Sequence, residues 1–262
     1  MKKIILFSSL IVSSTLAFEE FIVTDVEAKY SHRTGIETTK TLQQSFNLGF
    51  SNTTGNTETI NLNAKYDLLS ITSGYHNRLL KIAFDTSAFF TESEEIRTNE
   101  EYVANLELEQ IMSREWLTYG ELNWLKNPKF RNYDNKIGIG MGMGNELYND
   151  GKQSFALKLG ISYNIEDYAN AQETEKFGAL NEYLEYNNKL NAISSLYLKG
   201  GAMQNFEDMG GDYEIIGVLG VGFAVANNVN LSLEGEVDYD NLPAIGFKKT
   251  DTKSIVRLGY NF

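Results

Sequence analysis

The chain has 262 residues, enough for one large domain or two small ones, and its 42% hydrophobic and 12% aromatic content excludes a disordered polypeptide. It contains no cysteine, which excludes a disulfide framework, a thiolate metal site and a cysteine nucleophile, and suits a chain kept unfolded while it crosses an oxidising periplasm. A net charge of −12 makes nucleic acid a poor partner, because phosphates have to be met by Lys and Arg.

The N-terminus has a basic start (Lys2, Lys3), an apolar run from Ile4 to Val12, and small residues leading to Ala17. This predicts a cleavable secretory signal peptide over 1–17, with an apolar run too short to span a bilayer as a helix. Its removal takes away two lysines and leaves 21 basic against 35 acidic residues, or −14. Residues 18–40 are polar and without a clear period, and are expected to form an N-terminal periplasmic segment. No later run approaches the ~18 apolar residues of a membrane helix.

From residue 41 onward strand-like segments recur between turn signals. Twelve are predicted: 41–51, 57–69, 77–90, 98–112, 115–126, 133–146, 152–165, 177–190, 192–206, 211–226, 229–240 and 251–262. They run 11 to 16 residues, whereas soluble strands usually have about 5–6 and a tilted membrane-crossing strand needs about 9–11. Only two prolines interrupt the chain, which suits long hydrogen-bonded ladders.

Most segments alternate with a period of two. In 57–69, Ile60, Leu62, Ala64, Tyr66 and Leu68 oppose Asn61, Asn63, Lys65 and Asp67. In 77–90, Ile82, Phe84, Ala88 and Phe90 oppose Lys81, Asp85 and Ser87; in 98–112, Tyr102, Ala104, Leu106 and Leu108 oppose Asn105, Glu107 and Glu109. In 152–165, Leu157, Leu159 and Ile161 oppose Lys158, Gly160 and Ser162; in 229–240, Leu231, Leu233 and Val237 oppose Ser232, Glu234, Glu236 and Asp238. Segment 177–190 alternates poorly. Odd-numbered connections look long and charged, as in "TESEEIRTNE" at 91–100. Even-numbered ones look tight, as in "NN" at 227–228, with an exception at about 70–76. Long loops on one side and tight turns on the other is an outer-membrane barrel pattern. An even strand count then leaves both termini on the short-turn, periplasmic side.

The last segment, "SIVRLGYNF", sets Val256, Leu258, Tyr260 and Phe262 against Arg257 and Asn261. Leu258, Tyr260 and Phe262 resemble the terminal signal read by the outer-membrane assembly machinery. A soluble sandwich would also alternate, but it would not need twelve long segments. In lipid every backbone polar group must be paired within the protein, and a closed barrel does this without an edge. The expected fold is all-β, a twelve-stranded antiparallel up-and-down transmembrane barrel over 41–262. The apolar faces should meet outer-membrane lipid. The lumen should be lined by Asn61, Asn63, Lys65, Asp67, Lys81, Asp85, Glu107, Glu109, Glu121, Lys158, Glu234, Glu236, Asp238 and Arg257. Four basic against eight acidic wall charges suggest an interior tolerant of cations, or one plugged by ion pairs.

Three stretches together resemble a known family: "LGFSNTTGNTETINLNAKYDL", "NPKFRNYDNKIGIGMGMGNELYNDGKQSFALKLGISYNIEDY" and "YDNLPAIGFKKTDTKSIVRLGYNF". They are similar to the YdiY-like salt-induced outer-membrane proteins, a domain family of unknown function. The resemblance covers roughly 41–262 and implies an outer-membrane β-barrel. It brings no reaction, ligand or catalytic residue, and the salt label concerns expression.

"GIGMGMG" at 138–144 is not a phosphate loop, because a tight turn and another strand follow where a helix is required. Its glycines alternate with Ile139, Met141 and Met143, and should point inward to make space or curvature. The carboxylates Glu107 with Glu109, and Glu234, Glu236 and Asp238, read as a solvated wall rather than a glycosidase pair. His32 and His76 are separated and no serine lies in a nucleophile motif, so neither a metal site nor a hydrolase is expected and no cofactor is implied. Tyr66, Phe90, Tyr102, Trp116, Trp124, Tyr163, Tyr239 and Phe262 fall toward strand ends, where interfacial girdles form. The sequence thus points to a non-enzymatic barrel of the Gram-negative outer membrane. It is read as a pore for small solutes or ions; the alternative is a structural or stress-response barrel with a filled lumen and no transport. An outer-membrane lipid hydrolase is the least supported reading.

Overall fold

The computed structural model describes residues 42–54, 59–93, 96–113, 115–129, 131–170 and 173–262. The signal peptide, the segment 18–40 and His32 lie outside the described residues. Twelve strands follow one another in order: β1 (Leu42–Thr54), β2 (Thr59–Ser73), β3 (Leu79–Ser93), β4 (Ile96–Ile111), β5 (Trp116–Asn127), β6 (Tyr133–Asn149), β7 (Gln153–Tyr168), β8 (Glu175–Lys189), β9 (Ser194–Asn205), β10 (Tyr213–Ala226), β11 (Val229–Asp240) and β12 (Thr250–Asn261). Each pairs antiparallel with its neighbours in sequence, and β1 pairs with β12, so the sheet closes on itself. The closing seam runs from Ser45 opposite Asn261 to Thr54 opposite Thr252. It leaves no free edge, which is what a sheet without surrounding water requires.

The period of two becomes an inside and an outside. Along β12 Asp251, Lys253, Ile255, Arg257 and Gly259 are buried, while Ser254, Val256, Leu258 and Tyr260 are exposed. The outer face is densely apolar, with Phe50 and Met141 each 65% exposed and Ile139 60%. An exposed apolar belt of this extent is the face that a barrel turns to lipid. Polar side chains on this wall bond to each other: near the strand ends Trp124 Nε1 donates to Asn135 (3.1 Å) and Tyr186 Oη to Gln153 (3.1 Å), and Tyr66 Oη, at the middle of β2 rather than toward its end, donates to Gln44 near the start of β1 (2.7 Å). Amphipathic rings at the level of the strand ends suit a membrane interface.

Two expectations about connections change. The supposed exception at 70–76 disappears, because β2 continues to Ser73 and the chain turns through a single 3-10 turn at Tyr75–Asn77. The supposed ten-residue loop at 91–100 is mostly strand, with β3 reaching Ser93 and β4 beginning at Ile96. A ladder can extend beyond an apolar belt because its backbone bonds, not its side chains, hold it; a charged strand end therefore reads as loop in the sequence. The difference between the two rims is accordingly smaller than expected. The poorly alternating segment 177–190 is nonetheless a regular strand, β8, with Glu182 exposed and Phe177 and Tyr183 buried.

The β6–β7 turn shows how a tight connection is specified. Gly151 takes φ +81°, a region that disfavours side chains. The Asp150 carboxylate accepts from the Gln153 N–H (2.6 Å), the Lys152 N–H (2.9 Å) and the Tyr148 hydroxyl (2.8 Å). These donors, first that of Gln153, hold its carboxyl below the usual range. Gly151→Val should destabilise the barrel by about 1–2 kcal/mol, read from urea unfolding in liposomes. An NMR titration should show Asp150 ionising below the ordinary value of about 4. Because the folded value is the depressed one, this brace is fully present above about pH 4 and is lost as the pH falls through the Asp150 midpoint.

Candidate functional site

Inside the barrel the buried positions carry polar and charged side chains in number. Among the described residues, six basic side chains (Lys65, Lys81, Lys158, Lys199, Lys253, Arg257) and twelve acidic ones are buried. Taking a single ion out of water costs several kcal/mol, so these charges persist only with partners. The strands place those partners in two ways.

Some pairs are local. Lys65 and Asp67 of β2 lie 2.7 Å apart, and Ser45 and Asn47 of β1 donate to the same carboxylate. Asn105 of β4 donates to Asp85 of β3 (3.0 Å). Arg257 of β12 forms two bonds to Glu234 of the adjacent β11 (2.9 and 3.0 Å), and its Nε donates to Asn63 of β2 (3.0 Å).

Other pairs cross the interior between strands that are not neighbours. Lys158 of β7 reaches Glu107 (2.6 Å) and Glu109 (3.3 Å) of β4, and Lys81 of β3 completes the group with Glu109 (3.2 Å). Lys253 of β12 bridges Glu101 of β4 and Glu236 of β11, both at 2.9 Å. Lys136 of β6 joins Glu166 of β7 (2.6 Å) to Glu214 of β10. Arg131, in the β5–β6 connection, meets Asp238 of β11 (2.6 Å) and Glu214 (3.4 Å). Tyr183 of β8 donates to Glu121 of β5 (2.9 Å). The Lys253–Glu101 and Lys136–Glu214 links are chords across the barrel.

Rings fill the space between chords. Lys158 sits 4.6 Å above the Tyr119 ring, and Lys253 and Arg257 lie 5.3 and 5.7 Å from the Phe89 ring, at cation–π separations. Tyr119 packs where β6 and β7 carry Gly142 and Gly160, and a Cβ at either would collide with it. Tyr197 lies over Gly220 in the same way. The alternating glycines of β6 are thus sockets: Gly140 sits beneath Glu121, Gly138 against Asn164, and Gly144 beneath Leu117 and Lys158.

The candidates read from the sequence are placed as follows. Asn63, Lys65, Asp67, Lys81, Asp85, Glu107, Glu109, Glu121, Lys158, Glu234, Asp238 and Arg257 are buried, and Glu236 is half-buried on Lys253. The side chain of Asn61 lies outside the described residues. Leu258, Tyr260 and Phe262 are exposed, with the rings of Tyr260 and Phe262 stacked at 6.2 Å. Sequence reasoning missed Glu101, Arg131, Lys136, Glu166, Glu214 and Lys253, which make the chords, and the inward rings of Phe89, Tyr119 and Tyr197. Lys253 shares the parity of Arg257, so extending the alternation along the last strand would have found it. Nothing in the local pattern marks Arg131, which acts from a connection. His76, the one histidine among the described residues, sits in the turn after β2 with its ring edge-on to Tyr75. No group of three or more metal-ligating side chains forms among the described residues.

Comparison with solved structures finds the same architecture. The NanC porin superposes with a TM-score of 0.53 at 6% identity, over 82% of this chain and 98% of that one. An outer-membrane channel of Pseudomonas putida F1 gives 0.52 at 10% identity, over 84% and 95%. Outer-membrane phospholipase A of Escherichia coli gives 0.52 at 12% identity, over 86% and 94%. These likenesses establish the outer-membrane barrel fold. No curated protein matches the chain.

The Lys158 group gives a direct test of the interior energetics. Lys158→Met should destabilise the barrel by about 3–5 kcal/mol, because Glu107 loses its counter-charge while remaining buried. Adding Glu107→Gln should restore part of the loss in an unfolding double-mutant cycle. The family model described as a protein of unknown function, DUF481, matches residues 46–262, nearly the whole barrel, and the chain belongs to that family.

Proposed function

We propose that this protein is a non-enzymatic barrel of the outer membrane whose interior is held closed by cross-strand ion pairs, a structural element of the envelope rather than a permanently open solute pore. One observation carries this reading. Side chains that would line an open aqueous lumen are buried, and Lys158 and Lys253, with side chains 2% and 6% exposed, are tied to partners on distant strands. An open channel would leave such groups wet. The apolar outer wall supports outer-membrane lipid as the surrounding partner. The exposed, stacked end of β12 supports Leu258, Tyr260 and Phe262 as the element met by the assembly machinery. A secretory signal at 1–17 and a periplasmic segment at 18–40 complete the proposal.

A second reading, an ion pathway that opens when the chords break, is favoured by the surplus of acidic charge. A polar interior cavity of about 80 Å³ lies between the chords, lined by Asn105, Glu121, Lys136, Asn164 and Glu214. Small cations would be its passengers, since the wall carries twice as many buried acids as bases.

Planar-bilayer recording separates the readings. The purified barrel should show no steady conductance. Lys253→Ala, which leaves Glu101 and Glu236 to repel each other, should give discrete openings whose reversal potential in a salt gradient reports cation preference. Steady, porin-sized conductance of the unmodified protein would overturn the closed-barrel reading.

A further inference from the structure

One buried acid takes no part in the network of ion pairs. Glu121 sits in the middle of β5 and is 7% exposed. Its partners are neutral donors, the Tyr183 hydroxyl at 2.9 Å and the side-chain amide of Asn123. Among the described residues no Lys or Arg meets it at ion-pair distance. Lys158, whose charge acts on it from farther off, is bonded to Glu107 and Glu109. A carboxylate so deeply buried needs a positive charge.

The register of the sheet supplies the surroundings. Asn105 of β4, Asn123 of β5, Gly138 of β6 and Asn164 of β7 stand opposite one another in a row across four strands. The neighbouring row runs Glu107, Glu121, Gly140 and Ser162. A glycine in each row leaves a hollow, the polar chamber of about 80 Å³. Gly138 makes room for the Asn164 amide oxygen, and Gly140 for the Glu121 carboxylate. Asn105 spends its Nδ2 on Asp85 (3.0 Å) and Asn164 spends its own on Ser162 (2.9 Å). The amide oxygens of both are thus left without a donor among the described residues, although the two residues are only 7% and 4% exposed. Arg131 and Lys136 also border the chamber, but these two bases are shared by three acids, Glu166, Glu214 and Asp238, so that end carries no surplus of positive charge.

We infer that the chamber binds one monovalent alkali cation, held by the Glu121 carboxylate and the amide oxygens of Asn105 and Asn164. A single carboxylate balances a single charge, and neutral amide oxygens replace part of a hydration shell as backbone carbonyls do in cation filters. Calcium sites draw on more carboxylates, and transition metals on nitrogen or sulfur. A proton on Glu121 would supply one donor and leave both amide oxygens unmet. Water alone would meet the amides but bring no charge. The volume admits an ion together with a few waters. The inference rests on the closed-barrel reading, since the water of an open lumen would screen Glu121 without an ion.

The experiment compares salts. The barrel is unfolded by urea in phospholipid vesicles at equal concentrations of sodium, potassium or N-methylglucamine chloride, the last cation being too large for the chamber. Sodium or potassium should lower the unfolding constant about tenfold relative to N-methylglucamine, as linkage gives at about ten times the dissociation constant. The more effective of the two identifies the ion. Glu121→Gln should erase the difference between salts, and Asp134→Asn, at an exposed acid on the rim, should keep it. If Glu121→Gln fails to fold, the unmodified protein still answers: NMR titration with the alkali chloride should shift the side-chain amide signals of Asn105 and Asn164 to saturation and leave that of exposed Asn191 in place. Equal unfolding in all three salts, a difference that survives Glu121→Gln, or unmoved Asn105 and Asn164 signals would overturn the proposal. A barrel that is electrically silent and indifferent to the salt would remove the ion site alone, whereas steady conductance would remove the closed barrel.

Discussion

The structure depends on one constraint: a backbone that crosses lipid must satisfy its own N–H and C=O groups. For strands this forces closure, and closure fixes the rest. Once β1 pairs with β12, every residue has one of two fates, lipid or interior, and the choice alternates along each strand. The scarcity of proline, the length of the strands and their continuation past the apolar belt all follow from the need for unbroken ladders.

Closure also creates the electrostatic problem that the interior solves. A barrel of this size that turns its polar face inward brings charged side chains from opposite walls within reach of each other. Here the basic groups are too few to neutralise the acids one for one, so single cations serve several carboxylates: Lys158 serves Glu107 and Glu109, and Lys253 serves Glu101 and Glu236. Sharing raises the stake on each cation, because losing one strands two buried acids. Inward glycines are the complement of this network. They give Tyr119 and Tyr197 room to lie flat against the wall and bring rings under the cations.

The outer wall obeys the opposite rule, and its exception is informative for the same reason. Polar groups on that face are tolerated where they satisfy each other, as Trp124 does with Asn135 and Tyr186 with Gln153 near the strand ends. Glu182 stands at the middle of β8, opposite Leu159 and Ala202. The residue that makes β8 hard to read as a strand is thus the one that marks a distinct patch of surface.

The sequence by itself determined the number of strands, their order and, where the alternation is regular, the two faces, because a side-chain period of two survives any tilt or curvature of the sheet. In β2, β7 and β12 the alternation of Lys65, Lys158 and Arg257 with apolar neighbours can be read residue by residue. It failed where charge extended a ladder, as at 91–100, since hydropathy does not record backbone pairing. It was weak on β8, where Tyr183 and Glu182 exchange their expected sides. Only the tertiary structure decided which charges meet. Glu101 and Lys253 stand 152 positions apart, and their contact depends on the stagger and cross-section of the closed sheet. These properties belong to all twelve strands together and are written in no single one.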